Sequence, residues 1–170
     1  MRSKSFLKTS LLNEFALIER AGHKLQNLEQ KEIALKDVIM GALDIAMAES
    51  GAVRVLCDDE ATINVEPKLF FVAIKNMIDN GIKYSTDHKV SILANSSGIE
   101  FQTLGEPLKN ELSYYTKPFT KDGNQKNSFG LGLYIVENIL KAHNFVLEYT
   151  HENGKNIFKI NFKEKKLLNL

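Results

Sequence analysis

The sequence is poor in cysteine, in net charge and in long apolar runs. A single cysteine, Cys57, among 170 residues excludes an internal disulfide and argues against a thiolate metal site. A net charge of +1 provides no strong field for nucleic acid or an acidic membrane, so we expect no nucleic-acid partner. No apolar run is long enough to cross a bilayer, and no signal peptide is visible. These absences favour an intracellular soluble domain, which can still be a piece of a longer membrane protein.

Length and residue periodicity predict one main domain with a short appendage at each end. Residues Ser5 to about Ala21 carry apolar side chains at helical spacing, and Gly22 is a plausible stop. This helix is too short to fold alone, so we expect residues 1–24 to end a longer helical element. Residues 25–163 are expected to form the domain, and residues 164–170 a solvated tail.

Apolar spacing and turn residues predict an α+β fold for the main domain. Strands are predicted at Leu25–Ala34, Val53–Cys57, Thr62–Val65, Lys89–Ala94, Ile99–Thr103, Phe145–Thr150 and Asn156–Phe162, and helices at Leu35–Glu49, Pro67–Ser85 and Leu131–Ala142. These elements indicate a two-layer α/β sandwich, in which a mixed, mostly antiparallel sheet packs on about three helices. Regular patterning stops between Leu104 and Phe129, and a loop of that length is usually functional or disordered.

The helix that opens at Pro67 has three surfaces, where an ordinary amphipathic helix has two. One surface is apolar and should face a core. A second is charged and should face water: Lys68, Lys75 and Asp79. The third carries Asn76 and Asn80 one turn apart, followed by Lys83 and Tyr84. Asn is unfavourable in the interior of a helix, so the two Asn residues of this stripe need a role beyond helix formation. Binding a nucleotide with its magnesium ion is such a role. The alternative is that the amides bond to a neighbouring loop or to other side chains.

Glycines mark the start of the last predicted helix. Gly130 and Gly132 lie in the run SFGLGL at 128–133, directly after the long loop. Glycine lets the backbone approach a ligand closely, and the first N–H groups of a helix together with its dipole attract phosphate. Two glycines can equally serve tight helix packing, so the pair alone leaves both interpretations open.

Three segments in combination resemble sensor histidine kinases. The run NMIDNGIKYS at 76–85 resembles their N-box, YTKPF at 115–119 their F-box, and GLGLYIV at 130–136 their second glycine box. They stand in the family's order, with the long loop where the family has its ATP lid. The resemblance covers roughly Leu35 to Phe162. It implies a domain that binds ATP and Mg²⁺ and transfers phosphate to a histidine.

The resemblance assigns catalytic roles to the polar stripe. Asn80 would give its side-chain oxygen to Mg²⁺, and Asn76 would hold the metal or the triphosphate from beside it. Lys83 would pair with phosphate, and Tyr84 would lie against the adenine ring. Related ATPases of the gyrase type carry a water-activating Glu where this chain has Asn76. An amide cannot accept that proton, which favours transfer to a protein over hydrolysis.

The glycine box and the lid supply the other implied contacts. The backbone around Gly130, Leu131, Gly132 and Leu133 would cradle the phosphates. Phe119 would bury its ring and anchor the lid on the domain. A lid lysine would reach the phosphates, and the sequence leaves open which one: Lys117, Lys121 or Lys126.

Two positions depart from the family's pattern. Its first glycine box has an Asp that accepts a hydrogen bond from adenine, and this chain has Thr103 there, followed by Gly105. A neutral hydroxyl accepts that bond less strongly than a carboxylate, by about 1–2 kcal/mol. Ser128 replaces a glycine at the end of the lid and should stiffen that hinge.

The resemblance also implies partners that this sequence lacks. Residues 1–24 resemble the end of the dimerisation helix, and the four histidines are surface or turn residues in our interpretation: His23, His88, His143 and His151. The acceptor histidine would therefore lie on a dimerisation domain outside this sequence, in a homodimer that serves a response regulator. The chain would be the cytoplasmic part of an inner-membrane sensor. Two alternatives remain: a degenerate nucleotide-binding or docking module, and a serine kinase of the anti-sigma type.

Overall fold

The structure, a computed structural model, describes residues 12, 13, 16, 18, 19, 28–46, 48–119 and 131–163. Its helices are α1 (Leu35–Ala46), α2 (Pro67–Tyr84), the single turn α3 (Leu112–Tyr115) and α4 (Gly132–Ala142). Its strands are β1 (Lys31–Ala34), β2 (Val53–Cys57), β3 (Thr62–Val65), β4 (Val90–Asn95), β5 (Gly98–Leu104), β6 (Val146–Glu152) and β7 (Lys155–Asn161). The predicted helices and strands are present with ends displaced by at most three residues, except that β1 begins at Lys31 and not at Leu25, and α3 lies in the segment predicted to be a loop. Within the described ranges, no helix has the length and apolarity needed to span a membrane.

One five-stranded sheet forms the base of the domain. Its strand order is β2-β4-β5-β7-β6; β2 and β4 run parallel, and the other neighbours are antiparallel. Strands β1 and β3 form a separate antiparallel pair. Helices α1, α2 and α4 share the main hydrophobic core with the inward-facing side chains of the sheet. The predicted α+β sandwich with a mixed, mostly antiparallel sheet on three helices is therefore confirmed.

The last hairpin is closed by the turn that its sequence predicts. Asn153 and Gly154 connect β6 to β7, and both have positive φ, 50° and 72°. Positive φ at both central residues is typical of a type I′ turn, whose twist matches that of the flanking strands. The resulting register places Tyr149 opposite Phe158, and on the next strand Thr103 opposite Asn156.

The α2 helix is more deeply buried than its sequence predicts. Lys75 is only 5% exposed, so the prediction that it faces water is wrong. The carboxylate of Asp79, one turn later, lies 3.5 Å from the Lys75 ammonium and offsets part of its desolvation. On the neighbouring stripe, Ala73 is fully buried in a second apolar cluster with Ile18 and with residues of α4. That cluster explains why this helix has little surface in water.

Ile18, which precedes β1, packs on α2 and α4. Residues 12, 13, 16, 18 and 19 are helical, as predicted. Ile18 is 3% exposed and lies in the same cluster as Leu131 and Ile135. Beside it, the Tyr134 hydroxyl donates a hydrogen bond to Glu19, and this bond raises the pKa of Tyr134. Ile18 and Glu19 are thus held against the helix that begins at Gly132.

His143 joins the two long helices at the end away from Gly132. The backbone N–H of Glu66, the N-cap residue of α2, donates to His143 Nε2 at 3.0 Å. Nδ1 must then carry the proton, which it donates to the carbonyl oxygen of Ile139 at 2.7 Å. The imidazole is 5% exposed and packs against the rings of Phe70 and Phe145. His143 lies in the turn after α4, as one of the two predicted alternatives has it, but it is not a surface residue, because its two ring nitrogens satisfy backbone groups inside the core.

This histidine should make the domain less stable in mild acid. Burial lowers the pKa of His143 below its ordinary value of 6.5. As the pH falls below 6.5, the unfolded chain therefore takes up a proton at His143 before the folded chain does. The contribution of neutral His143 to the stability of the fold is complete above that pH and is lost progressively below it. Urea unfolding from pH 7.5 to 5 should show this loss, and His143→Gln should flatten the profile while costing about 1–3 kcal/mol at neutral pH. His88→Gln, in an exposed turn, is the matched replacement at the surface. An unchanged profile in His143→Gln would contradict the assignment.

Candidate functional site

The polar stripe of α2 passes from the core to the surface. Asn76 is 3% exposed, and its Nδ2 donates to the carbonyl oxygen of Val72 at 3.0 Å, which fixes the orientation of the amide. Asn80 is half-buried, and its amide makes no hydrogen bond to any residue that the structure describes. Lys83 and Tyr84 are exposed at the end of the helix, with the ammonium 5.3 Å from the ring centroid. The stripe therefore presents an amide, a cation and an aromatic ring to one side of the helix.

The first residue of α4 lies directly against Asn80. A Cβ atom on Gly132 would be 3.2 Å from both Oδ1 and Nδ2 of that amide. Leu131, the N-cap residue, makes no side-chain capping bond, and the N–H groups of a first helical turn have no partner within their own helix. The absence of a side chain at residue 132 thus keeps these N–H groups and the Asn80 amide next to each other. This arrangement favours an anion with a bound cation.

The end of β5 forms a third side of the site. Thr103 faces α2 at Gly81, where an added Cβ would lie 3.3 Å from its methyl group. Its hydroxyl is half-buried and makes no hydrogen bond within the described part of the chain. Two residues later, Gly105 lies beside the last turn of α2: an added Cβ would be 4.0 Å from the carbonyl oxygen of Tyr84. The structure therefore brings residues of three separate sequence segments to one place.

The other predicted site residues are less closely associated with this place. Leu131 is 1% exposed and Leu133 is half-buried, and both side chains pack in the core, so only their backbone can face a ligand. Phe119 is 60% exposed, and the prediction that it buries its ring is wrong. Its backbone lies in the left-handed region, at φ 61°, within a turn. The other predicted residues of this region lie outside the described residues: Lys121, Lys126, Ser128 and Gly130.

Three polar side chains near the site were not predicted. Tyr149, His151 and Asn156 lie on the hairpin β6–β7 and form hydrogen bonds with the segment that follows β5. Strand alternation could have found them, because Tyr149 and His151 share a face with the buried Leu147. Polar residues on an inward face need partners, and these partners are backbone groups and, for Tyr149 and Asn156, each other's side chains.

The chemistry of the site follows from its donors. No group of three or more His, Cys, Asp and Glu side chains that could hold a metal occurs among the described residues. A cation at Asn80 would therefore need most of its ligands from water and from the bound anion. Mg²⁺ accepts such a set, because it prefers oxygen ligands and keeps several waters. The residues present can therefore hold Mg²⁺ only when a phosphate-bearing ligand supplies further oxygen ligands.

Comparison with known proteins decides the family. No protein-family model matches the chain. The chain is 30% identical over 161 residues to the sensor histidine kinase ArsS of Helicobacter pylori, a match that covers 88% of this chain. The chain is a sensor histidine kinase catalytic domain. It spans about a third (36%) of the length of that relative.

Solved structures agree with this family at the level of the fold. The catalytic domain resembles that of histidine kinase ThkA with a TM-score of 0.66 and 17% identity, over 81% of this chain and 97% of the other. It also resembles full-length ShkA, solved in complex with AMPPNP, with a TM-score of 0.64 and 15% identity, over 90% of this chain and 35% of the other. The fold that carries Asn80 and Gly132 is thus the fold of histidine kinase catalytic domains.

Proposed function

We propose that this catalytic domain binds ATP with Mg²⁺ and presents the γ-phosphoryl group to a histidine of a dimerisation domain. The phosphoryl group then passes to an aspartate of a response regulator. The observation that supports this proposal is the contact between Asn80 and the side-chain-free start of α4 at Gly132. ShkA, whose fold the chain shares, binds the ATP analogue AMPPNP.

Each residue of the site would act by binding and orienting. The first-turn N–H groups at Gly132 would hold phosphate oxygens with the help of the helix dipole. Asn80 would direct its amide oxygen to the metal, and Lys83 would neutralise a phosphate. Mg²⁺ supplies charge neutralisation between the phosphates when it is bound. Tyr84 would cover the base, and Thr103 would bond to its edge from β5.

Residue 76 bears on the reaction class. The Asn76 amide is buried, and its nitrogen already donates to the helix backbone. An amide at this place cannot take a proton from water. Phosphoryl transfer depends mainly on positioning and charge neutralisation, so a domain without a water-activating base is sufficient for transfer to a protein side chain. Slow hydrolysis of ATP by the chain alone is the expected consequence.

The partners and the location extend the proposal to the whole protein. Residues 1–24 would be the end of a dimerisation helix, and residues 25–163 the catalytic unit. The buried contact of Ile18 with α2 and α4 supports a helix that belongs with the catalytic domain. A homodimer on the cytoplasmic side of an inner-membrane sensor, acting on a response regulator, follows from this family role.

Phosphoryl transfer to a supplied acceptor tests the function. The 170-residue chain, mixed with a histidine kinase dimerisation domain and radiolabelled Mg-ATP, should label the acceptor. The label should be acid-labile and base-stable, as for phosphohistidine. Binding of ATP without transfer would favour a docking module, for which the neutral Thr103 is the supporting feature. An acid-stable label would favour a serine kinase.

A further inference from the structure

We propose that Tyr149, His151 and Asn156 are positioning residues, which hold residues 105–108 as a fixed wall of the nucleotide site. This inference rests on the proposed function, because the wall is useful only if a nucleotide binds beside it. None of the three side chains belongs to the motifs that the family resemblance uses. They are half-buried on the inward face of β6 and β7, separated from residues 105–108 by about 40 to 50 positions in sequence.

The backbone of residues 105–108 is bonded at nearly every residue. The Leu108 N–H donates to the Tyr149 hydroxyl at 2.9 Å, and that hydroxyl donates to Asn156 Oδ1 at 2.6 Å. Asn156 Nδ2 donates in turn to the Glu106 carbonyl at 3.0 Å. His151 Nε2 donates to the Gly105 carbonyl at 2.9 Å. One backbone bond continues past the end of β5 at Leu104, from the Gly105 N–H to the Gly154 carbonyl at 3.1 Å, and the three side chains supply the other bonds to this segment.

The same segment is fixed on its other side by the end of α2. The Thr86 N–H donates to the Leu104 carbonyl at 3.0 Å. Gly105 lies so close to α2 that an added Cβ would be 4.0 Å from the Tyr84 carbonyl oxygen and 3.3 Å from Asn156 Nδ2. Gly105, the first residue of the segment, thus lies between the hairpin β6–β7 and the helix end that carries Lys83 and Tyr84.

Fixing this wall should matter for binding more than for folding. A segment of irregular backbone loses conformational freedom when a ligand orders it, and that loss weakens binding. Hydrogen bonds that order the segment in advance remove this cost from the binding step. The affinity for the nucleotide should therefore depend on the Tyr149 hydroxyl, although that hydroxyl is not placed to contact the phosphates, which Gly132 and Asn80 would hold.

Tyr149→Phe removes the hydroxyl and keeps the ring. The ring can still pack on Phe158, 5.0 Å away between centroids, so the sheet should fold. We expect the Leu108 amide to exchange with deuterium at least about tenfold faster, because it loses its only acceptor among the described residues. We also expect about tenfold weaker binding of Mg-AMPPNP, and a KM for Mg-ATP that rises about tenfold while kcat in transfer to an acceptor domain changes less than about twofold.

Matched controls separate positioning from a general loss of stability. Tyr114→Phe removes a hydroxyl from an exposed tyrosine and should leave the exchange, the affinity and the kinetic constants unchanged. Asn156→Ala breaks the same network at Glu106 and should weaken binding in the same direction as Tyr149→Phe. The Ile157 amide lies in the ladder between β5 and β7, and its exchange should stay slow in every variant. Slow exchange there would show that the sheet is intact.

Three results for Tyr149→Phe would overturn the proposal. They are unchanged exchange of the Leu108 amide, unchanged affinity for Mg-AMPPNP despite faster exchange, and a fall in kcat with no change in KM. Failure of the unmodified chain to bind Mg-AMPPNP has a different meaning, because it contradicts the proposed function itself. In that case the exchange measurement still decides whether the Tyr149 hydroxyl holds the segment.

Discussion

Asn80→Ala should weaken Mg²⁺-dependent binding of AMPPNP by roughly 30- to 150-fold, equivalent to about 2–3 kcal/mol for the loss of a polar partner of a charged group. The amide is half-buried against Gly132, and it has no hydrogen-bond partner within the described residues that would explain its presence on the helix. Stability should change little or increase, because Ala is a better helix former than Asn. Calorimetric titration with and without Mg²⁺ measures the effect.

Asn138→Ala is the matched control for this change. Asn138 is another half-buried helical amide, but its Nδ2 donates to the Tyr134 carbonyl at 2.8 Å within α4. Its replacement should leave the affinity for Mg-AMPPNP within about twofold of the original. Equal losses in the two variants would mean that the Asn80 effect is not specific to the site.

Gly132→Ala should separate binding from stability. The new methyl group would lie 3.2 Å from both polar atoms of the Asn80 amide and would fill the space in which the anion and its cation are expected. We expect at least about tenfold weaker binding of Mg-AMPPNP. Alanine at a helical position stabilises the helix by up to about 1 kcal/mol, so the melting temperature should stay constant or rise.

Gly41→Ala provides a control with the same chemistry and similar crowding. Gly41 lies in α1, and an added Cβ would be 3.2 Å from a ring carbon of Phe71. Phe71 lies on a different face of α2 from Asn80. Its binding of Mg-AMPPNP should be unchanged. If Gly132→Ala binds as tightly as the original chain, the start of α4 is not a phosphate site.

Much of the fold was predictable because its signals are local. Asn153 and Gly154 specify a two-residue turn without any tertiary contact, and the hairpin forms as predicted. Pro67 likewise opens α2, where a missing N–H costs nothing, and the side chain of the preceding Glu66 accepts the Leu69 N–H at 2.7 Å. Such signals act within a few residues and can be recognised without knowledge of the rest of the chain.

The errors concern side chains whose environment is set by distant residues. His143 ends a helix and reads as a surface residue, but Glu66, 77 residues away, supplies the N–H that its ring accepts. Lys75 belongs to a polar sector of α2, but an acidic neighbour and a second apolar cluster allow its burial. Phe119 reads as an anchor, and its ring is exposed. Periodicity describes one helix or strand at a time and cannot show which surface a distant segment covers.

The candidate site also has a part that the sequence predicts and a part that only the structure shows. Asn76, Asn80 and Gly132 were predictable because amides inside a helix and glycine at a helix start both run against ordinary propensity. The contact between Asn80 and Gly132 joins residues 52 positions apart and required the structure. Tyr149 and Asn156 gave a weaker signal: strand alternation places them on the face of the buried Leu147, but polar residues are common on strands with one face in water.

Chemical-shift mapping with Mg-AMPPNP tests the central claim most directly. The claim is that the nucleotide lies between the Asn80 stripe of α2 and the start of α4. Titration of the ¹⁵N-labelled chain should shift the Asn80 side-chain amide and the Gly132 N–H more than other resonances, and removal of Mg²⁺ should reverse the Asn80 shift. Saturable shifts that leave both groups unmoved and cluster elsewhere on the domain would contradict the account.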